Sequence, residues 1–138
     1  MTQVIYAFDT TLPQKLAFCM RNLLPQPDAE PVVVQHDITH LWDELPPSTP
    51  TDKWIREAAK KDWIVVTCMA ASARKRVQAA MAEAGVRVVY LAAGFSSLTP
   101  FPQAAKLCGC WDRIVAASYR LKRGEAIAMS MNGVPERL

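Results

Sequence analysis

The stretch WIVVTCMAASARKRVQAAMAEAGVRVVYL, residues 63–91, decides the fold class. Trp63–Thr67 (WIVVT) is a β-branched and aromatic run of strand length, the clearest strand in the chain. A helix is expected from about Ser72 to Ala84, and Gly85 stands where a left-handed residue closes a helix. Val86–Leu91 (VRVVYL) reads as the next strand. Strand, helix and strand in succession are the signature of an α/β domain with a largely parallel sheet.

Upstream, Thr2–Phe8 (TQVIYAF) is a strand ended by Asp9. Thr11-Leu12-Pro13-Gln14 has the form of a helix start, with Thr11 as cap, Pro13 in the first turn and Gln14 at the third position. Leu16, Cys19, Met20, Leu23 and Leu24 recur at three- and four-residue spacing, which makes Pro13–Leu24 an amphipathic helix stopped by Pro25 and Pro27. Val32-Val33-Val34 is a second strand bounded by Pro31 and by His36-Asp37. Residues 38–50 read as a short helical turn and then a proline-rich loop. Thr51 caps a helix over Asp52–Lys61, with Trp54, Ile55, Ala58 and Ala59 on one side. Downstream lie a longer helix, Phe101–Arg120, and an edge strand, Ala126–Met131. The expected architecture is one α/β domain over residues 1–138: an α/β/α sandwich on a mainly parallel sheet of about five strands.

Composition agrees with this class. The 138 residues hold 16 Lys and Arg against 13 Asp and Glu, a net charge of +3, with 51% apolar and 21% charged residues. That excludes a disordered tail, a coiled coil and a collagen-like repeat. The mild positive balance permits a nucleic-acid partner without demanding one. No apolar run approaches the ~18 residues of a membrane span, and the start has no signal-peptide pattern, so a cytoplasmic protein with no membrane contact is expected. Cys19, Cys68, Cys108 and Cys110 form no CxxC pair and read as reduced thiols; Cys108-Gly109-Cys110 is too short for a zinc clamp.

Ligands of an open parallel sheet sit beyond the carboxyl ends of its strands. That rule selects Asp9-Thr10-Thr11, the His36-Asp37 turn and Thr67–Ser72. Asp9 offers a hard oxygen ligand for Mg²⁺ or Mn²⁺, or else caps the turn that follows it. Asp52 opens a helix, where the dipole alone favours a carboxylate. Asp37, Asp43 and Glu44 either lean over the same edge or are solvated. His36 and His40 lack the Glu of a zinc-protease motif. Cys68 and Arg74 have the Cys-x5-Arg spacing of cysteine-dependent phosphatases, in a loop without glycine. Arg74, Lys75 and Arg76, with Lys60 and Lys61 nearby, are candidates to hold the phosphates of a nucleic-acid strand.

The order of these segments resembles a known family. FDTTLPQKLAFCMRNL (8–23), TPTDKWIREAAKKDWIVVT (49–67), GVRVVYLAAG (85–94), WDRIVAAS (111–118) and IAMSMNGVPERL (127–138) resemble, in order, the segments of PIN-like domains of the VapC-like toxin ribonuclease kind. The resemblance implies an α/β/α domain and Mg²⁺- or Mn²⁺-dependent ribonuclease chemistry, in which clustered carboxylates hold a metal that activates water. It also implies a partner antitoxin or other small protein, RNA as substrate, and a homodimer, for which Trp42 or Trp111 would supply an apolar face. Carried over residue by residue, Asp9 and Asp52 match the first two acids, as catalytic and metal-binding residues, and Thr67 matches the Thr before the third acid. The chain departs from the pattern at Met69, followed by Ala70 and Ala71, and at Thr10, where the family has acids. Ala70 and Ala71 are where an inactivating substitution would fall. The departures bring in an alternative, a catalytically degenerate PIN-like module that binds RNA or a protein partner without cutting.

Overall fold

The computed structural model describes residues 2–23 and 34–138. The strands are β1 (Thr2–Phe8), β2 (Val34–His40), β3 (Ile64–Thr67), β4 (Arg87–Leu91), β5 (Ala126–Met129) and β6 (Pro135–Arg137). The helices are α1 (Gln14–Leu23), α2 (Leu41–Glu44), α3 (Thr51–Lys60), α4 (Ala71–Ala84) and α5 (Pro100–Ser118), with a 3-10 turn at Ala93–Ser97. The six strands form one sheet in the order β2-β1-β3-β4-β5-β6. Every pair is parallel except β5 with β6.

Alternation along the strands divides the interior in two. Val4, Tyr6 and Phe8 of β1, with Val66 and Val89, face the layer of α1 and α5 and pack on Leu16, Met20, Leu107, Trp111 and Ile114. Ala7, Val65, Val88 and Tyr90 face the opposite layer and meet Trp54, Ile55 and Ala58 of α3 and Met81 of α4. Helices therefore cover both faces, the α/β/α sandwich expected from the sequence. Each large side chain fully buried in these layers contributes about 1.5–3 kcal/mol. Polar groups inside are paired where the geometry allows. The Tyr6 hydroxyl donates to Ser118 Oγ at 2.7 Å, since Ser118 itself donates to the Ile114 carbonyl. Burial of that phenol pushes its pKa up to about 12.

Several sequence expectations are corrected. Thr11 does not cap α1; the first turn of the helix forms on the Pro13 carbonyl, which accepts from Leu16 and Ala17. The second strand runs on through His36 and Asp37 to His40, because in-register pairing with all of β1 outweighs the polar character of those residues. Its expected residues Val32 and Val33, and Leu24, Pro25 and Pro27 beyond α1, lie outside the described residues. The residue at the N-cap of α3 is Pro50, with Thr51 already helical. The expected edge strand ends at Met129, and β6 pairs antiparallel beside it, so the sheet has six strands instead of five. Gly85 closes α4 with φ 81°, in the left-handed region that the sequence assigned to it.

Candidate functional site at the switch point of the sheet

The chain winds to opposite sides of β1: β2 lies on one flank and β3 on the other. The crevice of an open α/β sheet opens at such a reversal, beyond the carboxyl ends of the two strands concerned. Asp9 follows β1 and Thr67 ends β3, so the two residues meet there. The Asp9 amide continues the ladder by donating to the Val66 carbonyl at 3.1 Å, while the Asp9 carbonyl accepts from Leu12 in a tight turn.

The Asp9 carboxylate is closed in. One oxygen accepts from the Thr11 amide at 3.0 Å and from the Thr11 hydroxyl, the local turn that Asp-x-Thr favours. The other accepts from the Thr67 hydroxyl at 2.6 Å. Thr11 Oγ1 in turn accepts from the Cys68 amide at 2.8 Å, which ties the β1 turn to the end of β3. Asp9 is 1% exposed, and exposed Thr11 lies over it. Burial raises its pKa, against the lowering effect of the Thr11 and Thr67 hydrogen bonds. Buried His40 anchors the same turn: its Nε2 meets the Leu12 carbonyl at 2.7 Å and its Nδ1 accepts from the Trp42 amide. With Nδ1 an acceptor, the proton is assigned to Nε2.

The other candidates do not join this cluster. Asp52 lies on the first turn of α3 with its side chain 75% exposed and pairs with Arg56 at 3.3 Å. Asp37 pairs with Arg21, Asp43 accepts from Gln14 and Glu44 accepts from Thr39. Among the described residues no three His, Cys, Asp or Glu side chains converge. His36 and His40 lie on one strand, about 13 Å apart at 3.3 Å per residue, too far to share an ion. Mg²⁺ or Mn²⁺ needs exposed oxygens with room for retained waters. A single buried carboxylate whose oxygens are engaged by two threonines does not fit that requirement.

Arg74 leaves the first turn of α4 and stacks on Tyr90, its guanidinium 4.8 Å from the ring centroid. Tyr90 is the register partner of Thr67, so Arg74, Tyr90, Thr67 and Asp9 follow one another along the crevice. The Tyr90 hydroxyl is buried with no hydrogen-bond partner among the described residues. Burial pushes its pKa up to about 12, with Arg74 opposing and Asp9 reinforcing the shift. Lys75 and Arg76 are exposed on the next residues of α4. The phosphatase-like reading of Cys68 and Arg74 is corrected. The Cys68 thiol is buried, donates to the Ala92 carbonyl at 3.3 Å, and has its pKa raised by burial, the reverse of an activated nucleophile.

Sequence reasoning placed Thr11 in the stretch beyond β1 but gave its side chain to a helix cap, weighed His40 only as a metal ligand, and missed Tyr90. Asp-x-Thr after a strand was the available signal for Thr11. His40 and Tyr90 carry no local signal, since only the sheet register brings them to the crevice.

An α/β/α sandwich on a mainly parallel sheet, with an acid at its switch point, defines the class. Residues 5–93 match the family model described as a PIN like domain, and the chain belongs to that family. No curated protein and no solved structure matches the chain. The matched span runs from β1 through β4 and holds the whole crevice; α5, β5 and β6 lie beyond it.

Proposed function

We propose that this chain is a PIN-like module that holds single-stranded RNA along the carboxyl edge of its sheet without metal-dependent cutting. The observation that carries the reading is the closed carboxylate of Asp9, locked by Thr11 and Thr67, with no cluster of three metal-ligating side chains among the described residues. In this reading Asp9 and Thr67 fasten β1 to β3, and Asp52 is a solvated helix-start acid. With Asp9 withdrawn from the surface, the charges offered by the first two turns of α4 are those of Arg74, Lys75 and Arg76. Lys75 and Arg76 suit phosphates as exposed cations, and Arg74 is held in place by its stacking on Tyr90.

The toxin-type ribonuclease that the sequence resembles needs an acid where Met69 stands and a metal beside Asp9. Met69 packs into the apolar layer of α3 and α4.

The test is fluorescence anisotropy of a labelled single-stranded RNA in EDTA, over a range of salt. Binding is expected in EDTA, weakening with salt. Each single-strand phosphate contact contributes about 0.7 to the log–log salt slope, so Lys75→Gln with Arg76→Gln should lower it by roughly 1.4. Loss of binding in EDTA, or an unchanged slope in the double variant, overturns the reading. No RNA affinity at low salt also overturns it, in favour of a protein partner.

A further inference from the structure

A cavity of about 280 Å³ opens between α5 and the turn that follows β5, at the carboxyl ends of β4 and β5. It is separate from the Asp9 crevice, on the sheet face covered by α1 and α5. Its floor is apolar, formed by buried Leu91, Phe95, Leu107 and Met129. Lys106, Cys110 and Arg113 stand four and three residues apart on α5, so one helix face turns two cations onto the cavity.

The turn is built to close on that face. Gly133 has φ 75°, and a Cβ there would lie 2.7 Å from Arg113 Nη2 and 2.9 Å from Cys110 Cβ. Glycine thus lets the turn press against the guanidinium where a side chain would displace it. Ser130 holds the turn by donating its amide to the Val134 carbonyl and by accepting the Val134 amide at its Oγ, both at 3.0 Å. Burial raises the pKa of the Cys110 thiol, and Arg113 and Lys106 oppose that shift.

Neither cation is ion-paired among the described residues, and no Asp or Glu lines the cavity. Lys106 Nζ reaches the Met131 carbonyl at 3.4 Å. Two uncompensated cations over an apolar floor complement a molecule with an apolar body and an anionic head. We propose that this cavity binds a small amphipathic anion, its carboxylate or phosphate between Lys106 and Arg113 and its body on Leu91, Phe95, Leu107 and Met129. Arg113 suits either head through a bidentate contact. The volume, about 280 Å³, lies just below the roughly 300–1,000 Å³ of ligand pockets, which limits the body to a short chain or a single ring. The inference is independent of RNA binding and stands if that reading fails.

The test titrates the full chain with octanoate, octyl phosphate and octanol, followed by amide chemical shifts. Saturable shifts are expected at residues 91–95, 105–113 and 129–133 with one or both anions, which bind at least about tenfold more tightly than octanol. The stronger anion identifies the head group. Arg113→Gln and Lys106→Gln should each weaken anion binding at least about threefold and leave octanol unchanged. Arg120→Gln, beyond the end of α5, should change nothing. Equal affinity for octanol and the anions, shifts spread outside the cavity, no shift at millimolar concentrations, or charge removal without effect overturns the proposal.

Discussion

Replacing Asp9 with alanine separates a structural carboxylate from a metal ligand, because the two roles predict opposite signs. The substitution strips the acceptor from three donors: the Thr11 amide, the Thr11 hydroxyl and the Thr67 hydroxyl. The two hydroxyls already lie 3.3 Å apart, so one can turn to donate to the other. Two donors then remain unmet, at about 1–3 kcal/mol each when buried. Thr11 is exposed and water relieves part of its share, so the net loss should be about 2–4 kcal/mol. For a domain of this size 1 kcal/mol corresponds to roughly 3–4 °C, giving a fall in Tm of about 6–16 °C. The assay is thermal unfolding followed by circular dichroism in EDTA, with urea unfolding to check that the m-value is unchanged. A carboxylate held in readiness for a metal would behave otherwise: without the ion its loss is neutral or stabilising. An Asp9→Ala protein that melts at or above the parent temperature in EDTA refutes the reasoning.

Other consequences concern the same crevice and its surroundings. The raised pKa of Asp9 means that the folded protein binds its proton more tightly than the unfolded chain does. The part of the stability linked to that proton is therefore fully present below about pH 3.9 and is lost as pH rises to the folded pKa, at up to about 1.4 kcal/mol per pH unit. Melting the parent beside Asp9→Asn from pH 4 to pH 8 should show the parent losing ground as pH rises, and the opposite trend contradicts the assignment. Tyr90→Phe removes a buried hydroxyl that has no partner among the described residues and should raise stability by about 1 kcal/mol in urea unfolding. A loss of stability would mean that the hydroxyl is hydrogen-bonded in solution. Gly124 has φ 85°, and its added Cβ would lie 2.8 Å from the Ala82 carbonyl oxygen. Gly124→Ala should therefore cost about 1–3 kcal/mol, and a cost below about 0.5 kcal/mol would show that the loop relaxes freely.

Much of this fold was legible in the sequence because its strands are short apolar runs between helices with good stops. Thr2–Phe8 and the helix closed by Gly85 are such cases. Burial on both faces leaves few alternatives for VVV-type runs, and a left-handed glycine is a local event. The second strand was harder. His36, Asp37 and His40 look like loop residues, and they are strand because β1 supplies a complete register of partners. The exposed strand β6, PER, has no hydrophobic pattern and owes its existence to β5. At the site, the sequence placed Asp9 and Thr67 at strand ends, where the sheet then joined them by a hydrogen bond. It gave Thr11 to a helix cap, since Thr-x-Pro-x suits both a cap and a turn, and the tie to Cys68 is a contact across 57 residues. The α5 cavity carried no signal, as Lys106 and Arg113 are ordinary surface residues until Gly133 folds back on them.

The central claim, a PIN-like module that holds RNA without cutting it, is most directly tested by one reaction read in two ways. End-labelled single-stranded RNA is incubated with the protein in Mn²⁺ or in EDTA, and both the bound fraction and the intact fraction are measured. The account predicts binding in both conditions, weakened in Mn²⁺ only as far as the ion screens the phosphates, and fully intact RNA in both. Cleavage that requires Mn²⁺ and disappears in a folded Asp9→Asn protein would contradict it.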